Sequence, residues 1–268
     1  MYVRDTGESG GFPILMLHGL GATSESWVLQ FDALVRSGYR ALAPDLPGFG
    51  NTPADHRGWN LGNVVGELNE YLERCNVRNC GVMGISMGGV VAQLLAATYP
   101  EKIASVILVN TFLSLRRAKL SENIYFLKRG LRAFFLSPKA QAELVARRVF
   151  PREDQEHFRR LLRDGIEKAD AKVYRQSMLS LMRFEGKSLA RKIIAPVLVI
   201  SGENDTTIPV TMQKALVDAL PYAAQVILRD AGHAANVEQP QLFNQLMLEF
   251  YSNPSESIRR YTSRSLTG

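Results

Sequence analysis

A chain of 268 residues with 46% hydrophobic content can bury one sizeable core, and its two cysteines, Cys75 and Cys80, exclude a disulfide framework or a cysteine zinc site. The formal net charge of +6 is local: residues 112–192 hold 20 Lys and Arg against 9 Asp and Glu, whereas the remainder holds 12 against 17. With no nucleic-acid motif, no basic leader before an apolar stretch and no apolar run near the ~18 residues that span a bilayer, a soluble cytoplasmic protein is expected.

Short apolar runs alternate with amphipathic segments of helical length, the pattern of a mostly parallel sheet. Strands are predicted over 1–5, 13–18, 39–44, 79–84 and 103–109, with helices over 25–37, 61–75 and 87–99 between them. After Asn110 the alternation stops, and helical segments follow over 122–135, 138–149, 151–168 and 170–184. It resumes with strands over 196–201 and 223–228 and helices over 210–220 and 238–251. An all-helical block inside an α/β chain reads as a cap inserted after one strand and folded over the sheet's C-terminal edge. The expected organisation is a core of residues 1–111 and 193–251, a cap of residues 112–192, and a disordered tail over 252–268, where Ser, Arg and Thr dominate.

The chemistry centres on Gly84-Ile85-Ser86-Met87-Gly88, between a predicted strand and a predicted helix. A serine lifted from so tight a turn needs a strained backbone, and the glycines relieve the crowding. Met87 opens the helix, so its N–H is an unpaired donor facing whatever Ser86 attacks. A base is then required, and the chain offers four histidines, His18, His56, His157 and His233. His233, in a loop after the last strand, stands where a base belongs. The carboxylate that orients it is assigned to Asp205, in the loop after the strand at 196–201, with Glu203 as competitor and Asp230 disfavoured by its closeness to His233 in sequence. The other acid position, after the strand ending at Val109, holds Asn110 and Thr111, which carry no charge. The turn His18-Gly19-Leu20-Gly21 supplies a second oxyanion donor, the Leu20 amide.

These motifs resemble the α/β-hydrolase superfamily, in particular its capped esterases, lactonases and carbon–carbon bond hydrolases. The resemblance rests on His18 to Gly21 with Trp27, Asp45-Leu46-Pro47-Gly48-Phe49-Gly50, Gly84 to Gly89, the Asp205 loop with Pro209, and Gly232-His233 with Glu238 and Pro240. It implies an α/β-hydrolase fold with helices on both sheet faces and an inserted helical cap. The first strand usual in the family has no counterpart, because Met1 falls at what resembles the second, so about seven strands are expected. Asn51-Thr52 stands where relatives often have a serine, and Asp45 is read as organising its loop.

The resemblance further implies a Ser86, Asp205, His233 triad cleaving an ester or lactone of a small molecule, with neither metal nor organic cofactor. Ile85, where carbon–carbon hydrolases tend to have asparagine, leans the reading towards esters. A carbon–carbon hydrolase, a haloperoxidase-like enzyme and a non-catalytic binding protein on the same fold are the alternatives. In the cap, Ile124 to Leu127 and Phe134 to Leu136 are read as packing or as an apolar acyl pocket. Arg116, Arg117, Lys128, Arg129 and Arg132 are read as a solvated face, or as attraction for a carboxylate-bearing substrate or a membrane surface.

Overall fold

In the computed structural model, seven strands form one sheet: β1 (Val3–Asp5), β2 (Phe12–Leu17), β3 (Tyr39–Pro44), β4 (Cys80–Ile85), β5 (Ile103–Val109), β6 (Val197–Gly202) and β7 (Ala223–Leu228). The structure describes residues 1–7, 10–54, 58–115 and 138–264. Strand order is β1-β3-β2-β4-β5-β6-β7, and among the described residues only β1 runs antiparallel, on β3. Every residue of β4 and of β6 is buried, as parallel strands covered on both faces require.

Alternation along the strands assigns the two faces. Ile14 and Met16 point towards Trp27, Phe31, Phe243 and Phe250, carried by the turn Ser24–Trp27, α1 (Val28–Arg36) and α10 (Pro240–Ser252). Leu15 and Leu17 point the other way, towards α2 (Leu61–Arg74) and α3 (Met87–Thr98). Asn60 caps α2 by accepting the Asn63 N–H at 2.9 Å, and Gly38, Pro100 and Pro221 lie just outside the elements they separate.

Register places the site. Leu17 lies opposite Gly84, Ile85 opposite Val109, Val109 opposite Ile200, and Gly202 opposite Leu228. The residues that follow these strands therefore emerge together at one edge of the sheet, where open α/β sheets bind ligands.

Among the described residues, the inserted helices are α4 (Pro138–Val149), α5 (Glu156–Lys168), α6 (Ala171–Arg183) and the short α7 (Lys187–Ala190), and α8 (Val210–Ala219) follows β6. The insertion closes on itself where the Gly186 N–H donates to Leu113 O at 2.8 Å and Ser114 bridges Glu185. The insertion is seated on the loop after β3: the Asp170 N–H donates to Gly48 O at 3.1 Å, and the Trp59 N–H to Gln176 Oε1 at 3.1 Å. Part of its basic character lies in pairs within the insertion, Arg159 with Glu156 at 3.0 Å and Arg163 with Glu143 at 2.8 Å. The helix predicted over 122–135, the aromatic runs at 124–127 and 134–136, the basic group from Arg116 to Arg132, and His56 all lie outside the described residues.

Two expectations need correction. The helix predicted over 238–251 is two pieces, α9 (Ala235–Glu238) and α10, because Pro240 has no N–H to continue a helix and instead takes the first position of the next. The disorder expected from Ser252 gives way to α11 (Pro254–Arg264). Asn253 Oδ1 accepts the Glu256 N–H at 3.2 Å, and Ile258 and Tyr261, three apart and both buried, dock on the β-sheet core. Tyr261 also donates its hydroxyl to Glu249 Oε2 at 2.7 Å.

Candidate active site

Ser86 joins β4 to α3 with φ 54° and ψ −112°, a conformation that costs an ordinary residue of order 1–3 kcal/mol and is sustained only by its surroundings. Three hydrogen bonds sustain it here. The Ser86 N–H donates to Val109 O at 2.9 Å, and Ser86 O accepts from Thr111 Oγ1 at 2.7 Å and from the Val90 N–H at 3.2 Å. A Cβ on Gly84 would lie 2.2 Å from Gly88 O, which is why the strand can turn into the helix within so few residues. Met87, buried, begins α3 directly beneath the serine.

Asp205 and His233 meet from the loops after β6 and β7, with His233 Nδ1 2.8 Å from Asp205 Oδ2. The carboxylate is fully buried yet well satisfied: Oδ1 accepts the N–H groups of Thr207 at 2.8 Å and Ile208 at 2.9 Å, and Oδ2 accepts Asn110 Nδ2 at 2.7 Å. Because a carboxylate faces Nδ1, that nitrogen carries the proton, and Nε2 is left as the basic lone pair. Glu203, the competing acid, instead accepts the Asp230 N–H at 3.3 Å on the exterior, and Asp230 occupies a turn with φ 57°. Glu238 brackets the histidine, accepting the Gly232 N–H at 2.9 Å and the Ala234 N–H at 3.1 Å. Asn110 and Glu238 are neighbours of this pair whose hydrogen bonds residue type alone does not specify. The available signal was position, at a strand end for Asn110 and five residues beyond His233 for Glu238.

The turn after β2 abuts the serine: a Cβ on Gly19 would sit 3.7 Å from Ser86 Cβ. Its His18 is fully buried and uses both ring nitrogens, Nδ1–H donating to Gly19 O at 2.8 Å and Nε2 accepting the Leu46 N–H at 2.9 Å. Burial pushes its pKa down from the usual 6.5, so it is held neutral and has no lone pair for catalysis. The sign of the linkage follows. As pH falls below 6.5 the unfolded chain binds a proton that the native state refuses, so stability is lost on acidification. Unfolding followed across the mildly acidic range should show stability falling at up to about 1.4 kcal/mol per pH unit from this residue, with Tm falling alongside, and His18→Gln should flatten that slope. An unchanged slope in the variant refutes the assignment.

Asp45 organises the next loop, accepting the Ser24 N–H at 2.7 Å and the Asn51 N–H at 2.9 Å. Asn51 thus makes its shorter contact through the backbone, with its Nδ2 donating to the same Asp45 oxygen at 3.4 Å.

Ser86, Leu20 and His233 open onto one cavity of about 340 Å³ between the sheet edge and the inserted helices, within the size range of small-molecule sites. Val145, Val149, Phe150, Phe158, Leu161 and Leu162 form its apolar wall, with Phe150 stacked on Phe158 at 5.7 Å. Arg159 holds that wall by donating Nε–H to Phe150 O at 2.7 Å. Glu25, Asp45, Asp164 and Lys168 are also among the lining residues. Among the described residues no His, Cys, Asp and Glu group is arranged to hold a metal ion, and no helix is long and apolar enough to cross a membrane.

A mostly parallel sheet with a strained serine elbow at its C-terminal edge and a helical insertion above defines a fold class, and the chain belongs to the alpha/beta hydrolase family, whose model matches residues 14–246. Among relatives, it is 29% identical over 249 residues to a protein of Cronobacter sakazakii provisionally named the carbamate hydrolase RutD, covering 88% of this chain and 90% of that one. It is also 29% identical over 265 residues to a protein of Mycobacterium tuberculosis provisionally named the non-heme bromoperoxidase BpoC, covering 91% of this chain and 95% of the other. The crystal structure of the enol-lactonase from Burkholderia xenovorans LB400 superposes with a TM-score of 0.85 at 25% identity, covering 94% and 96% of the two chains.

Proposed function

We propose that the protein is a serine hydrolase that cleaves an ester or lactone bond of a small molecule through an acyl-enzyme intermediate. Ser86 Oγ attacks the carbonyl carbon while His233 Nε2 takes its proton, and Asp205 stabilises the imidazolium that forms. The Leu20 and Met87 N–H groups hold the oxyanion, aided by the positive end of α3. Collapse of the adduct expels the alcohol, protonated by His233, and water then repeats the sequence to release the acid. The chemistry is complete with these side chains and amides and requires no metal or organic cofactor.

One observation carries the reading: a serine held at φ 54° faces the cavity that His233 also lines, with that histidine already oriented by a buried aspartate. The likeness to an enol-lactonase and to relatives named for carbamate hydrolysis supports addition at a carbonyl. Substrate preference follows from the wall. Its apolar side chains suit an aliphatic or aromatic acyl group.

The test is labelling by a fluorophosphonate alongside turnover of a panel of neutral esters, lactones, carbamates and a vinylogous diketone. Wild-type protein should be labelled and should hydrolyse esters or lactones, and Ser86→Ala should do neither. A wild-type chain that resists the probe, or one that cleaves only the diketone, overturns the proposal.

A further inference from the structure

Val109, Asn110 and Thr111 together hydrogen-bond two members of the proposed triad, Ser86 and Asp205, and the residue that precedes the third, His233. Val109 O accepts the Ser86 N–H at 2.9 Å, and Thr111 Oγ1 donates to Ser86 O at 2.7 Å. Between them, Asn110 Nδ2 donates one hydrogen to Asp205 Oδ2 at 2.7 Å and the other to Gly232 O at 3.0 Å, on the residue preceding His233. This follows from topology: β5 lies between β4 and β6, so its end is flanked by the serine strand and the acid strand.

We infer that Asn110 is a positioning residue for the reaction, one planar amide that fixes the acid and the histidine loop relative to the serine strand. The inference rests on the serine-hydrolase reading. Asp205 Oδ2 receives both Asn110 Nδ2 and His233 Nδ1, at 2.7 and 2.8 Å, so the asparagine fixes the oxygen that orients the imidazole. Asn110 is fully buried and holds φ 45°, and its Oδ1 has no protein partner among the described residues. Left-handed backbone and an unpartnered buried carbonyl are each unfavourable, and they coincide at the residue joining the catalytic loops. An amide is also the group this place needs. A carboxylate would repel Asp205, and an apolar side chain would leave both acceptors without their donor.

The test compares wild type, Asn110→Ala and the isosteric Asn110→Asp on a short neutral ester, with Tm as a fold check. Loss of a hydrogen bond to a charged acceptor predicts about a 10- to 100-fold fall in kcat for Asn110→Ala with KM little changed. The acidic limb of the pH–rate profile should move to higher pH, because the less solvated carboxylate favours the imidazolium. Asn110→Asp should add an inflection absent from wild type, as two adjacent carboxylates share and then lose a proton. If Asn110→Ala fails to fold, the isosteric variant still decides. Wild-type kcat and an unmoved profile in the folded variants overturn the inference alone, whereas a wild-type chain that resists the fluorophosphonate overturns the hydrolase reading beneath it.

Discussion

Asp205→Asn should lower kcat for ester hydrolysis by about 10⁴-fold while leaving the fold intact, and the reason is the direction of the surrounding hydrogen bonds. Oδ1 accepts two backbone N–H groups, from Thr207 and Ile208 at 2.8 and 2.9 Å. An asparagine at 205 must therefore present its carbonyl oxygen there and its NH₂ in the place of Oδ2. That NH₂ then confronts three donors, Asn110 Nδ2, His233 Nδ1 and Gln213 Nε2, which stand 2.7, 2.8 and 3.5 Å from Oδ2 in the native protein. The imidazole escapes the conflict by moving its proton to Nε2, and the lone pair that should take the serine proton is lost. The broken buried contacts cost about 1–3 kcal/mol, so a modest fall in Tm accompanies the kinetic defect. Rates of hydrolysis and of fluorophosphonate labelling should fall together. Glu203→Gln, altering the competing carboxylate on the exterior, is the control that should retain wild-type rates. A kcat for Asp205→Asn within about tenfold of wild type would remove Asp205 from the mechanism.

The parts of this molecule legible in the sequence are those set by local rules. Parallel strands such as β4 and β6 are buried on both faces and read as unbroken apolar runs, and glycine and proline punctuation marks their neighbours. The serine elbow is legible for the same reason, since its steric demand falls on residues two positions away. What escaped depends on tertiary partners. At the acid position Asn110 lacks a charge, and that it donates to Asp205 emerges only when β5 is placed between β4 and β6. The segment after Ser252 reads as disordered from composition, yet Asn253-Pro254 and the spacing of Ile258 and Tyr261 encode a capped, one-sided helix that a core surface stabilises. Apolar spacing alone reads one helix over 238–251, but Pro240 lies inside that span, and proline begins helices and does not continue them.

Gly88→Ala should destabilise the protein severely, even though alanine in a helix is worth up to about 1 kcal/mol more than glycine on propensity alone. The added Cβ would lie 2.0 Å from Leu17 O, 2.5 Å from Leu17 C and 2.7 Å from His18 O. None of these is the end of a flexible side chain. Leu17 is paired with Gly84 in the sheet, and His18 is locked by its own hydrogen bonds, so relief requires α3 to move off β2 and to carry Ser86 with it. Overpacking against rigid backbone predicts a loss of about 3 kcal/mol or more, a Tm lower by roughly 10 °C, and loss of fluorophosphonate labelling. Gly66→Ala is the matched comparison: in α2 nothing lies within 4 Å of the new Cβ, so propensity acts unopposed and Tm should rise. Opposite signs from one substitution in two helices isolate the steric term. A Gly88→Ala protein that melts at or above the wild-type temperature would mean that α3 and β2 are not packed as closely as the serine's presentation requires.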